Sequence, residues 1–397
     1  MSGARRERTI VFVSERSDFF GGGQRSLSEF LPALRGEGIR PLAILPGPGP
    51  VSEALSRQDV EWVDLEIPAV SAGAGLGACR ALARLVRVVR ERRAALLHSD
   101  SPRTALYSGM AARLAHRPHV WHLRASMASS SLADRLLVIL SDRVIAVSRA
   151  AAARSAAVRR SGKTRVVPTG LPPIEFLTRA QARAELDLPP RAFVCGVVGR
   201  VETEKGRDEA LAALPEVRRA SPSALLVFVG PCMPGDRWAQ TCALGAAAAG
   251  LGGAVRLAGE RRDAARLLKA FDVILHPSRH DAFPRVLIEA LFASVPVVAT
   301  AVGGVPEIIE PGTSGLLVPP RDPQALGRAA ASLAGDPESG RRLARAGLLR
   351  ARQLFGIDRM ARRILAVYDE LVPPAGVAPV PAPRRGAPGD RAREAMP

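Results

Sequence analysis

Lysine is almost missing from this chain of 397 residues: Lys163, Lys205 and Lys269 stand alone among 56 basic residues. The rest are arginine, in the company of 36 Gly, 33 Pro and abundant Ala. That is the imprint of a GC-rich coding sequence, which spreads arginine over every exposed surface. The formal charge of +18 invites an anionic partner, but this bias supplies much of it. Aromatic residues are scarce, at 4%. No basic run is interleaved with Phe, Tyr or Trp, which argues against a single-strand binding platform, and no nucleic-acid partner is expected. The four cysteines include no Cys-x-x-Cys pair, so neither a disulfide framework nor a zinc centre is expected. Cys79 and Cys195 read as small core residues in a reducing compartment. No apolar run approaches the roughly 20 residues of a membrane span. Ile10–Val13 is too short for the apolar region of a signal peptide, so a cytoplasmic protein is expected.

What the chain does contain is apolar residues, at 47%, and a length that suits two domains of about 150–200 residues. Short β-branched runs predict strands at Thr9–Ser14, Arg40–Leu45, Glu61–Ile67, Ala94–His98, His119–Leu123, Arg143–Val147 and Thr164–Val167. A second series follows at Phe193–Val198, Ala224–Val229, Ala254–Ala258, Val273–His276 and Pro296–Ala301. Amphipathic stretches such as Leu76–Arg92 and Pro102–Ala115 lie between them. Buried runs separated by helices are the mark of parallel sheets. The expected class is α/β, with two doubly wound Rossmann-like domains facing across a cleft. The boundaries read as 1–172 and 173–354, with an amphipathic helix at Phe355–Leu371 and a Pro-rich, disordered tail at 373–397.

Two constellations carry chemistry. In Val197–Gly206, VVGRVETEKG, a strand runs into a loop with Arg200 and Lys205 and then into a helix. Fixed cations at a strand's carboxyl end suit a phosphate; two solvated loop cations are the plain alternative. In His276–Gly304, HPSRHDAFPRVLIEALFASVPVVATAVGG, Asp281 stands in a loop and Glu289 inside the helix that follows. Two carboxylates so placed can grip vicinal hydroxyls; the alternative is an ordinary acid at each place. The first-turn N–H groups of that helix are free to hold a phosphate. Gly303–Gly304 mark a close approach of backbone to something.

Taken in order, GR-x4-KG, HPSRHDAFPRVLIEAL and PVVATAVGGVPEIIEPGTSGLLVPPRDPQAL resemble the donor half of glycosyltransferase family 4, retaining enzymes of the GT-B fold. Gly21–Gly23, VWHLR around His122, VIAVS and VVPTG fit the other half, so the resemblance covers nearly the whole chain. It implies a hexose transferred from a nucleotide diphosphate sugar to a hydroxyl on a glycan, lipid or small molecule. By the same resemblance Arg200 and Lys205 bind the diphosphate, Glu289 the ribose and Asp281 the donor sugar. Backbone groups of Phe283, Pro284 (carbonyl only) and Arg285 line the site. His122 faces the donor sugar across the cleft, and Gly21, Gly22 and Gly23 close over the phosphates. His122, Asp281, Arg200 and Lys205 make up the catalytic set, and the last helix crosses back to the N-terminal domain. No cofactor and no metal are expected, because the protein's own cations neutralise the leaving group. Two departures stand out: Asp281 replaces the usual Glu, and Thr169-Gly170 replaces the usual Asn-Gly. The first keeps open a pseudoenzyme of the same fold that binds polyanions or a membrane surface. The basic, apolar stretch Leu76–Arg93 offers a peripheral contact with an anionic membrane. Of the other histidines, His98 reads as either cleft or core, His276 as satisfying a local backbone bond, and His116 and His119 as loop surface. Gly73–Gly77 reads as a flexible loop.

Overall fold

The computed structural model describes residues 7–373 apart from 20, 70–74, 128–129, 233–234, 239–240 and 242–249. The tail from 374 onward, Gly73 and Cys242 therefore lie outside the described residues. Seven strands form the first sheet: β1 (Arg8–Val13), β2 (Ile39–Leu45), β3 (Glu61–Asp64), β4 (Leu96–Ser99), β5 (His119–Leu123), β6 (Arg143–Ala146) and β7 (Thr164–Val166). Six form the second: β8 (Val194–Val198), β9 (Leu225–Val229), β10 (Val255–Leu257), β11 (Val273–His276), β12 (Val297–Thr300) and β13 (Leu316–Val318). The spatial orders are β3-β2-β1-β4-β5-β6-β7 and β10-β9-β8-β11-β12-β13. Every pairing is parallel.

Helices cover both faces of each sheet, so the central strands are buried on both sides and mostly apolar. The strand β1, for instance, buries every residue from Ile10 to Val13. That is the two-domain Rossmann-like architecture the run pattern predicts. One strand escaped that reading: β13 is a three-residue edge strand, too short to stand out as a β-branched run. In both sheets the winding reverses beside the first strand, between β1 and β4 and again between β8 and β11. Crevices open at the carboxyl ends of strands at such reversals.

The chain crosses between domains twice, and the crossings pair. Leu171 N–H donates to Phe355 O at 2.8 Å, and Ile357 N–H donates to Leu171 O at 2.9 Å. The second crossing leads into the helix Ile357–Asp369, whose Met360, Ile364, Val367 and Tyr368 are buried in the N-terminal core beside Leu31 and Leu34. Arg8 pairs with Asp369 at 2.7 Å, and Arg143 and Arg165 both donate to Glu370.

The N-terminal domain also buries three histidines. His119, read above as loop surface, is on β5 and fully buried. Its Nδ1 lies 3.3 Å from Leu140 O, which only accepts, so Nδ1 carries the proton and Nε2 accepts from the Ser99 hydroxyl at 2.8 Å. His98 belongs to the core: Tyr368 Oη lies 2.7 Å from its Nδ1, and its Nε2 lies 3.2 Å from His122 Nδ1. Burial pushes all three imidazoles down, with the charge of Arg124 adding to it at His98 and His122.

These neutral histidines make the domain sensitive to acid. For His119 the ordinary value of 6.5 falls to about 4 on folding. Unfolded chains therefore take up its proton first, and its contribution is complete above 6.5 and lost progressively down to about 4. His119 alone contributes on the order of 3 kcal/mol to that loss. The urea midpoint read from Trp62 and Trp121 fluorescence should fall steadily across this window. A flat midpoint there would mean the buried rings accept protons without penalty.

Candidate functional site

The site begins where two loops touch backbone to backbone. After β8 the chain passes Arg200 and a single tight turn, Thr203–Lys205, before the helix Arg207–Ala220. Gly206 joins them with φ +76°, and a Cβ there would lie 2.0 Å from Pro277 O, in the loop after β11. Only glycine permits both the left-handed conformation and the contact. The contact sets Lys205 against Asp281, Nζ to Oδ2 at 2.6 Å. His276 Nε2 lies 3.3 Å from the same oxygen, so the carboxylate is shared between Lys205 and His276. The local backbone bond expected for His276 is replaced by this approach. Burial pushes the Asp281 carboxyl up, but His276 and Lys205 together outweigh it and hold it far below the usual carboxylate range.

The close approach announced by Gly303–Gly304 is to this same loop. A Cβ on Gly303, at φ +49°, would lie 1.8 Å from Asp281 O, and Gly304 N–H donates to that carbonyl at 3.1 Å. The helix Arg285–Phe292 follows with Pro284 as its N-cap, no side-chain cap and no acid in its first turn. From the other domain the helix Gly22–Arg35 starts in the same condition, with Gly21 as its N-cap. Both ends line one cleft of about 860 Å³. Each presents unclaimed N–H groups and the positive end of a helix dipole.

Arg285 spans the cleft. Its guanidinium donates to Ser26 Oγ at 2.9 Å and to the two oxygens of Glu29 at 2.8 and 3.0 Å, and reaches Glu289 Oε1 at 3.5 Å. Burial pushes the Glu29 carboxyl up, against the pull of Arg285. Two further contacts join the domains. Ser148 Oγ donates to Ala282 O at 2.8 Å, and the N–H groups of Arg149 and Ala150 donate to Glu307 at 3.0 and 3.2 Å.

The cleft gathers Gly21, Gly22, Gly23, Arg200, Lys205, Asp281, Phe283, Pro284, Arg285 and Glu289. The Phe283 ring packs edge-on against Phe355 at 5.8 Å. Arg200 lies 3.0 Å from Glu202. His122 does not line the cleft. It is 1% exposed and held in the buried spine with His98 and Tyr368, which corrects the expectation that its side chain faces a donor sugar. Arg124, two residues further along VWHLR, takes the cleft position instead, with its Nε buried and without a protein partner. Arg25 and Arg262 also line the cleft, joined by Arg25 donating to Arg262 O at 2.7 Å. Sequence reasoning missed these three because one more arginine carries no signal in so arginine-rich a chain. Cations and helix ends so placed suit a multiply charged anion, and the carboxylates Asp281 and Glu289 beside them have the chemistry to accept from hydroxyl groups.

Two Rossmann-like domains, the second strapped back to the first by its last helix, around a cleft of this kind define the GT-B class of glycosyltransferases. The model of glycosyltransferase family 4 matches residues 20–173 and the model of glycosyl transferases group 1 matches residues 178–350, which makes the chain a family-4-like glycosyltransferase. It is 34% identical over 226 residues to a D-inositol 3-phosphate glycosyltransferase of Segniliparus rotundus, covering 56% of this chain and 50% of that protein. It is 36% identical over 206 residues to the protein of that name from Salinispora tropica, covering 49% and 42%. The chain thus spans about half the length of the curated relatives it matches. Among solved structures, Anabaena HepE in complex with UDP and glucose superposes with a TM-score of 0.80 at 23% identity, over 91% of this chain and 99% of that one. Sucrose-phosphate synthase of Thermosynechococcus elongatus gives 0.71 at 22% identity, over 92% and 99%. At these identities the likeness carries the fold.

Four variants test the geometry. A Cβ on Gly22 would meet Arg285 Cδ at 3.0 Å and Cγ at 3.5 Å, so Gly22→Ala should be absorbed by a small shift. Gly22→Val should push Arg285 off Glu29 and widen the cleft, raising the radius of gyration in small-angle scattering. An unchanged radius in both Gly22→Val and Glu29→Arg would show that this pair does not hold the domains together. Gly206→Ala, strained and overlapping a carbonyl, should cost about 3 kcal/mol in urea unfolding.

Proposed function

We propose that the chain transfers a hexose from a nucleotide diphosphate sugar to a hydroxyl acceptor, with retention of anomeric configuration. The observation that carries this reading is the convergence of two uncapped helix N-termini, one from each domain, with Arg200, Lys205 and Arg285 on a single cleft. HepE was crystallised with UDP and with UDP-glucose, and that supports a nucleotide-sugar as the first donor class to test. In this proposal Arg200 and Lys205 neutralise the diphosphate as it leaves, and the helix N–H groups hold its oxygens. Lys205 exchanges Asp281 for phosphate, and Asp281 is released to accept from the sugar hydroxyls. Glu289 accepts from the ribose. Charge neutralisation by side chains does the work a divalent metal does in other phosphate chemistry, and the proposed transfer is metal-independent. The names of the curated relatives make a phosphorylated cyclitol one acceptor to screen. A pseudoenzyme is disfavoured, because the whole donor set lines the cleft and the Asp281 loop is rigidly held.

A thermal-shift panel of UDP, GDP, ADP and their sugars identifies the donor, since a ligand of the folded state alone raises Tm. Lys205→Ala and Arg200→Ala should each weaken nucleotide diphosphate binding roughly ten- to hundredfold while leaving the fold intact. Unchanged binding in both removes the diphosphate assignment. Glu289→Gln should act chiefly on nucleotide affinity, and Asp281→Asn chiefly on turnover. An inverted product anomer, read by NMR, would overturn retention. Full loss of transfer in chelator would overturn metal independence.

A further inference from the structure

The helix Ser131–Leu140 faces solvent with an apolar stripe. Leu132, Leu136 and Ile139, at helical spacing, are 77%, 47% and 53% exposed. Polar residues belong there on an ordinary surface helix. Its one acid, Asp134, is buried against Arg154 and leaves no negative charge on the outer face. The stripe continues onto the neighbouring helix Pro102–Ala115, which has no acid and exposes Leu114 at 52%. Hydrogen bonds fix this continuity: Arg113 donates to Ile139 O and Arg90 donates to Leu114 O, both at 2.7 Å. The guanidiniums of Arg90 and Arg113 therefore lie at the edge of the leucines, with exposed Arg135 within the stripe. Leu76–Arg93, the stretch singled out in the sequence, supplies only the arginine margin of this surface; the apolar centre is elsewhere.

We propose that this face docks on an anionic lipid surface, with the leucines and Ile139 entering the headgroup region and the arginines pairing with lipid phosphates. The charge distribution selects this occupant. A second copy of the chain would set arginine against arginine, and a polyanion in water would leave the aliphatic side chains uncovered. No helix among the described residues is long and apolar enough to cross a bilayer, so the contact is peripheral. Met127, which precedes this helix, lines the cleft, and docking brings the cleft mouth towards the lipid surface. The proposal does not depend on the donor chemistry.

The test is flotation of the full chain with vesicles of phosphatidylcholine alone and with about one third phosphatidylglycerol. The unmodified protein should bind the anionic vesicles and not the neutral ones. Leu132→Ser/Leu136→Ser and Arg90→Gln/Arg135→Gln should each weaken binding at least about tenfold, with unchanged urea midpoints and unchanged nucleotide thermal shifts. No binding by the unmodified protein overturns the proposal. So does full binding by the serine variant, which would mark simple adsorption of a basic protein. A dimer seen by light scattering and lost in Leu136→Ser would assign the face to a second copy and overturn it equally.

Discussion

Leu171 and Gly356 each carry the chain between the domains, and the two backbone hydrogen bonds that pair these crossings are the constraint on which the cleft depends. Gly170 N–H approaches Met360 Sδ at 3.1 Å, so the pairing is continuous with the core under the last helix. Without it, two Rossmann-like domains would be joined by flexible segments and would sample many separations. With it, relative motion reduces to rotation about one short paired segment, and residues far apart in sequence keep facing each other. The remaining cross-cleft contacts are of another kind. Arg285 to Glu29 and Ser148 to Ala282 are made by side chains, which can exchange partners while the hinge stays intact.

Electrostatics inside the cleft follow from that geometry. Lys205 leans on Asp281, Arg285 on Glu29 and Glu289, and Arg200 on Glu202. Each cation is parked on a carboxylate that belongs to the site or borders it. Largely buried pairs of this sort add little net stability, because the cost of desolvating both charges offsets their attraction, but they hold the side chains in place and limit the repulsion among neighbouring positive charges. An arriving anion takes over interactions already poised for it, at a small cost in ordering.

The fold was legible because a parallel sheet covered on both faces writes itself as apolar runs, and twelve of the thirteen strands stand out that way. The donor cluster was legible for a different reason: its residues are local in sequence, within GR-x4-KG and the stretch from His276 to Gly304. What stayed hidden depends on distant partners. His119 follows Pro118 at the head of a strand, and only Ser99 and Leu140, from other elements, show that it is buried. On a strand covered from both sides alternation is silent, so nothing in VWHLR says that His122 turns into the core and Arg124 meets the cleft. The reach of Arg285 to Glu29, in the opposite domain, leaves no trace in the local pattern that announced its backbone.

The scarcity of lysine acquires a meaning once the three are placed. Lys163 donates to Val138 O and Ser141 O at the end of the helix Ser131–Leu140, and Lys269 sits over the Phe176 ring. Lys205 is in the cleft. With side-chain amines so few, a reagent directed at amines has, besides the α-amino group, only two structural positions and the site itself to modify. The composition has thereby made Lys205 chemically conspicuous. Covalent labelling, usually a diffuse probe of protein surfaces, would act here as a local reporter of whether the cleft is occupied.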